Sequence, residues 1–174
     1  MTTIIIATDG SLCAERAVHV GADIARSRGA EVVVISAIDD RPIPDSLRAI
    51  VETEHPAAPT SAPHGPQPSN VPAWMVEGVH AAAQGEEQLQ LRHVIADLAI
   101  EKARAVLNEA GVVSFREQIS EGDATETILR AAKREDADMI VMGTRGISAL
   151  KSLVYGSTSQ EVAREAACTC VTVT

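Results

Sequence analysis

Residues 139–159 read MIVMGTRGISALKSLVYGSTS, four apolar residues followed by the spacing Gly143-x2-Gly146-x9-Gly156-Ser157. An unbroken apolar run suits a strand covered on both faces, as in a parallel sheet. After it, Gly143 and Gly146 are expected to adopt positive φ and present successive amides as an anion nest. Gly156 lets the backbone approach closely, and the amides of Ser157, Thr158 and Ser159 open the next helix. Unpaired amides at the positive end of a helix dipole suit phosphate. Two better-known phosphate loops are excluded. No Gly-Lys-Ser/Thr follows a four-residue gap, and no Gly-x-Gly-x-x-Gly is present.

Outward from this stretch, apolar runs alternate with helical stripes. TTIIIAT (2–8) reads as a buried strand, and DGS (9–11) turns it into a helix carrying Ala14, Ala17, Val18, Gly21, Ile24 and Ala25 on one face, with Gly29 as its stop. AEVVVISAI (30–38) is a second buried strand. From Gln88, Leu91, Ile95, Leu98, Ala99, Val106 and Ala110 mark a helix that ends at Gly111. VVSFREQI (112–119) alternates and reads as a strand near the sheet's edge. Asp123 and Glu126 form a capping-box pattern before another helix, and Ser157/Gln160 and Thr158/Glu161 repeat that pattern before a last one. TCVTVT (169–174) is the final strand.

Five strands alternating with four helices predict an α/β fold, a mainly parallel, doubly wound, Rossmann-like sheet of order 3-2-1-4-5 in one domain over residues 1–174. Ligands of such sheets sit at the carboxyl ends of the strands, where the winding reverses. Here that point lies between the first and fourth strands and brings ATDGS (7–11) beside MGTRG (142–146). Asp9 ends strand one, Ala37 nearly ends strand two and Gly143 ends strand four, so the three converge on one crevice.

The regular alternation breaks once. All eight prolines lie between Pro42 and Pro72, which predicts an irregular excursion over about 40–88 between strand two and helix two. Trp74 is expected to anchor it, to the body or to a protein partner. His55, His64 and His80 lack recognisable metal-ligand spacing.

Composition bounds the partners. A chain of 174 residues with 45% apolar content can bury a real core, but one Phe, one Trp and one Tyr leave that core to Ala, Val, Ile and Leu. A net charge of −9 and the lack of aromatic platforms argue against nucleic acid and anionic lipid. No stretch has the length to span a bilayer, and MTTIIIATDG has no signal-peptide pattern. Cys13, Cys168 and Cys170 form an odd, unspaced set, as expected in a reducing cytoplasm, with Cys168 and Cys170 read as small apolar fillers.

The glycine spacing, with ATDGS at the start and EGDATETILRAAKREDADMIVMGTRG (121–146) leading in, resembles the universal stress protein family over nearly the whole chain except the excursion. The resemblance implies binding of ATP (or ADP or AMP), as in the branch of the family that keeps this motif. By that analogy Asp9 addresses the adenosine end, Ala7 lines its pocket and the backbone at Ala37 meets the adenine. Met142 and Gly143 flank the ribose and α-phosphate, with Arg145 and Gly146 alongside. Gly156, Ser157, Thr158 and Ser159 hold the β- and γ-phosphates with Mg2+ or Mn2+. The family also implies a homodimer through the C-terminal strand, residues 169–174, whose uncovered edge invites pairing. A nucleotide-dependent regulator of the stress response is the expectation. Slow ATP hydrolysis and a dimerising scaffold without nucleotide stay open as alternatives. A response-regulator receiver domain does not, because VVSFREQI supplies no Asp and TCVTVT no Lys.

Overall fold

The computed structural model describes residues 2–40, 43, 70–82, 88–147 and 156–174. In chain order these form β1 (Thr3–Ala7), α1 (Leu12–Arg28), β2 (Glu31–Ile38), α2 (Ala73–Ala82), α3 (Gln88–Glu109), β3 (Phe115–Glu121), α4 (Ala124–Arg134), β4 (Met139–Gly143), α5 (Ser157–Glu165) and β5 (Thr169–Val173). All strand pairs are parallel, in the order β3-β2-β1-β4-β5. This is the expected α/β fold.

Side chains alternate across a strand, and here both faces are buried. Ile4, Ile6, Val32, Val34 and Val141 meet Ala17, Val18 and Ala22 of α1 and Ile100, Ala103 and Leu107 of α3. On the opposite face Ile5, Val33, Ile35, Ile140 and Met142 pack on Ile128 and Ala131 of α4 and Val162 of α5. Ile4, Ile5 and Ile6 are wholly enclosed, and burying each such side chain is worth roughly 1.5–3 kcal/mol. The many alanines of α1 let it lie close to the sheet, which is how a chain with three aromatic residues fills its interior.

The sheet's edges differ. β3 is expected at an edge and is found there, with Arg116 paired to Glu31 and Glu135, and Arg104 to Glu117. β5, the opposite edge, reads TCVTV and carries no charge.

A fifth helix, α2, corrects the expectation of irregular chain over 40–88. Pro72 does not prevent it, because proline at the helix start lacks only an N–H that has no partner there. The Pro72 carbonyl accepts from the N–H groups of Met75 (3.1 Å) and Val76 (3.4 Å). Met75 and Val79, four residues apart, are both wholly buried against Leu91, Ile95 and Ala99 of α3. Trp74 anchors the helix to the body, as one of its two expected roles. Its Nε1–H donates to Glu15 at 3.1 Å, and the Lys102 ammonium lies 5.7 Å above its ring. His55 and His64 lie outside the described residues, as does the side chain of His80.

Candidate functional site

Ala7 of β1 stands beside Met142 of β4, so the two strands end level and their loops leave side by side. The neighbouring strands hold the first residue of each loop: the Thr8 N–H donates to the Ile35 carbonyl (2.9 Å), and the Thr144 N–H to the Val173 carbonyl (2.8 Å). Ser11 then caps α1, accepting from the Ala14 N–H at 3.2 Å, while its hydroxyl donates to the Arg145 carbonyl at 3.0 Å. Asp9 does not cap the helix; it bridges the two loops. Its Oδ1 accepts from the Ser11 N–H (3.1 Å) and its Oδ2 from the Ile147 N–H (2.7 Å).

Between these loops, α4 and α5 lies an open cleft, about 550 Å³ when the solvent space at its mouth is included. Toward β2 and α4 its wall is apolar, made of Ile35, Ala37, Ala124 and Ile128. Toward β4 and α5 it is largely main chain and hydroxyl, from Gly143, Thr144, Gly146, Gly156, Thr158 and Ser159. The far end of the glycine loop closes on one atom. The Gly156 N–H donates to the Thr144 carbonyl at 2.6 Å, and Ser159 Oγ lies 3.0 Å from that carbonyl and 2.9 Å from the Gly156 carbonyl, donating to one of them.

The glycines are required for a different reason from the one their spacing suggests. Neither Gly143 nor Gly146 has positive φ, so the expected nest is not how the loop is built. What each needs is room. A Cβ on Gly143 would lie 2.7 Å from the Ala14 nitrogen and 2.8 Å from the Cys13 carbonyl carbon; on Gly146 it would lie 2.5 Å from Asp9 Oδ2. One on Gly156 would lie 3.1 Å from the Thr144 oxygen. The capping boxes at Ser157 and Thr158 are corrected too. Gly156 itself, extended at φ −77°, is the N-cap of α5 and offers no side chain, so the helix starts one residue earlier than the Ser157 box requires and two earlier than the Thr158 box requires.

Two buried polar atoms of the cleft-lining residues, Thr144 Oγ1 and Arg145 Nε, have no hydrogen-bond partner among the described residues. Such groups carry a desolvation cost of about 1–3 kcal/mol until something polar meets them.

A family model, the universal stress protein family, matches residues 1–65 and 62–174. The chain belongs to this family. It is 34% identical over 170 residues to a Thermus aquaticus protein described as "Universal stress protein in QAH/OAS sulfhydrylase 3'region", covering 95% of this chain and 93% of that one. Its fold matches that of "Universal stress protein UspA from Lactobacillus plantarum" with a TM-score of 0.68 at 22% identity, over 99% of this chain and 97% of that one. It also matches the universal stress protein from Archaeoglobus fulgidus solved in complex with dAMP, with a TM-score of 0.61 at 18% identity, over 100% and 98% of the two chains.

In this universal stress protein, ten of the eleven residues singled out from the sequence line the cleft: Ala7, Asp9, Ala37, Met142, Gly143, Arg145, Gly146, Gly156, Thr158 and Ser159. Ser157 does not; it begins α5 and is exposed. Thr8, Ala14, Ile35, Ala124, Ile128 and Thr144 also line the cleft and were missed. Ile35, Ala124 and Ile128 look like ordinary core residues in the sequence, and only the closeness of α4 to β2 turns them into a wall. Thr144, lying inside the glycine spacing, was the one open to notice.

Among the described residues no group of three His, Cys, Asp or Glu could hold a metal ion. Burial pushes the Cys168 and Cys170 thiols up, which suits packed fillers more than redox groups. No helix among the described residues is long and apolar enough to cross a membrane.

Proposed function

We propose that this universal stress protein binds ATP in the cleft between β1, β4, α4 and α5 and acts as a nucleotide-dependent regulator. The two-sided character of the cleft carries the proposal. An adenine ring suits the wall of Ile35, Ala37, Ala124 and Ile128, and phosphates suit the start of α5. The orphaned Thr144 hydroxyl and Arg145 Nε–H are polar groups of the kind that a ribose or phosphate oxygen completes. The solved relative in complex with dAMP supports the choice of an adenine nucleotide.

In this account Asp9 addresses the adenosine end, Ala7 lines its pocket and the Ala37 backbone meets the base. Met142 and Gly143 flank the ribose, with Arg145 and Gly146 alongside. Thr158 and Ser159 hold the outer phosphates, with Ser157 contributing its amide and Gly156, whose N–H is held by Thr144, letting them approach the main chain closely. Mg2+ or Mn2+ enters on the triphosphate, since Asp9 is the one carboxylate among the residues lining the cleft. That carboxylate already accepts two main-chain N–H groups, which leaves it poorly placed to activate water. The protein therefore works by occupancy rather than turnover, in the cytoplasm. The uncharged edge of β5 pairs with a second copy through residues 169–174, while the charged edge of β3 does not.

The test is to denature the purified protein and identify released nucleotide by mass, alongside ATP turnover in wild type and in Gly156→Arg. Adenine nucleotide near one per chain is expected. Turnover that Gly156→Arg abolishes would replace the regulator with an enzyme. Protein that neither carries nor takes up nucleotide would leave a scaffold.

A further inference from the structure

Asn70 is buried, 6% exposed, and both ends of its side-chain amide are occupied. Its Nδ2 donates to the carbonyls of Arg145 and Gly146, both at 3.0 Å. Its Oδ1 accepts from the Cys13 N–H at 3.3 Å, and its main-chain carbonyl from the Leu12 N–H at 3.1 Å. Leu12 and Cys13 open α1, so Asn70 takes two amides that a helix start leaves unpaired. That closes the N-terminus of α1 to an anion and leaves the start of α5 to receive one.

The same residue orients the glycine loop. The C=O and N–H of a trans peptide point opposite ways, so holding the Arg145 carbonyl on Asn70 turns the Gly146 N–H away from α1. The next peptide is clamped from both sides, its carbonyl by Asn70 and its Ile147 N–H by Asp9.

Asn70 is placed in turn by the chain on its C-terminal side. Val71, Met75 and Val79 are buried with Leu91, Ile95 and Ala99, and Ile147 packs against the same cluster. Met75 lies over Gly10, at φ +75°, where a Cβ would strike the methionine methyl. The seat of α2, the turn after β1 and the loop after β4 thus meet around one amide.

We propose that Asn70 is a positioning residue for the nucleotide loop, through which docking of α2 and nucleotide binding stabilise one another. This rests on the nucleotide reading above. Coupling of this kind is reciprocal: whatever loosens α2 weakens binding, and bound nucleotide seats α2.

The experiment pairs ATP affinity by calorimetry with amide exchange by mass spectrometry in the full chain, with thermal melts confirming that each variant is folded. In wild type, saturating ATP should slow exchange over Met75–Val79 by about tenfold. Asn70→Ala should weaken ATP binding by about tenfold and erase that protection. Asn70→Asp, which keeps the volume and the acceptor for Cys13 but loses both donors, should behave alike. Met75→Ala should weaken binding in the wild-type background and not in the Asn70→Ala background. The proposal is overturned by unprotected α2 in ATP-bound wild type, by wild-type affinity in either Asn70 variant, or by Met75 and Asn70 effects that simply add. If wild type binds no ATP, the nucleotide reading fails separately and the anchoring is still decided. Asn70→Ala must then speed exchange of the Ile147 amide without ligand, and an unchanged rate overturns it.

Discussion

The Asp9 carboxylate accepts the Ile147 N–H at 2.7 Å, joining two loops 138 residues apart in the chain. Its other oxygen holds Ser11, so each oxygen accepts one main-chain donor. Asparagine can accept through one oxygen only, and alanine through none. Hydrogen bonds to a charged partner contribute about 1.5–3 kcal/mol each, so Asp9→Ala should cost more unfolding free energy than Asp9→Asn in urea titrations. Equal costs would mean that the carboxylate does not tie the loops.

The glycines separate by what a methyl group would hit. At Gly143 the obstacle is the backbone of α1, which cannot swing aside. Gly143→Ala should destabilise the fold by about 1–3 kcal/mol. At Gly146 the obstacle is the Asp9 side chain, which can turn away but only by releasing Ile147. Gly146→Ala should therefore lose more ATP affinity than stability. Melting temperatures and calorimetric titrations on the same two variants distinguish these outcomes.

Thr144→Val should move stability and binding in opposite directions. The threonine hydroxyl is buried without a partner among the described residues, and valine has nearly the same shape. Removing the orphan should leave stability unchanged or raise it by up to about 1 kcal/mol. ATP affinity should fall. A variant that is both less stable and unchanged in affinity would place the hydroxyl outside the nucleotide's reach.

The strand and helix pattern was legible because both faces of the sheet are covered, which leaves IIIA (4–7), VVVI (32–35) and MIVM (139–142) as unbroken apolar runs. Asp9 and Gly143 stood out where two of those runs end, and Gly146 and Gly156 by their spacing from Gly143. The helix at Ala73–Ala82 was hidden by the prolines before it, although Met75 and Val79 are one helical turn apart. Asn70 was out of reach altogether. Its partners are at 12–13 and 145–146, and no local spacing connects them.

The acid limb of stability should depend on Glu135. The Arg116 and Arg134 guanidiniums hold its carboxyl below the ordinary glutamate value, and Arg104 does the same to Glu117. A carboxylate whose folded pKa is depressed contributes stability that is complete above its unfolded value, about 4.3, and is lost as pH falls through the folded one. Glu135→Gln should therefore flatten the stability profile below about pH 4.3 and leave the slope near neutrality unchanged. Urea midpoints across that range provide the check.

The nucleotide reading stands on one arrangement: main-chain amides and hydroxyls at the start of α5, facing an apolar wall at the end of β2, hold an adenine nucleotide. Isothermal titration of ATP into nucleotide-stripped protein is the decisive experiment. Saturable binding of one ATP per chain, lost in Gly156→Arg, is the expected outcome. No heat from the folded wild-type protein, or binding that Gly156→Arg leaves intact, would refute it.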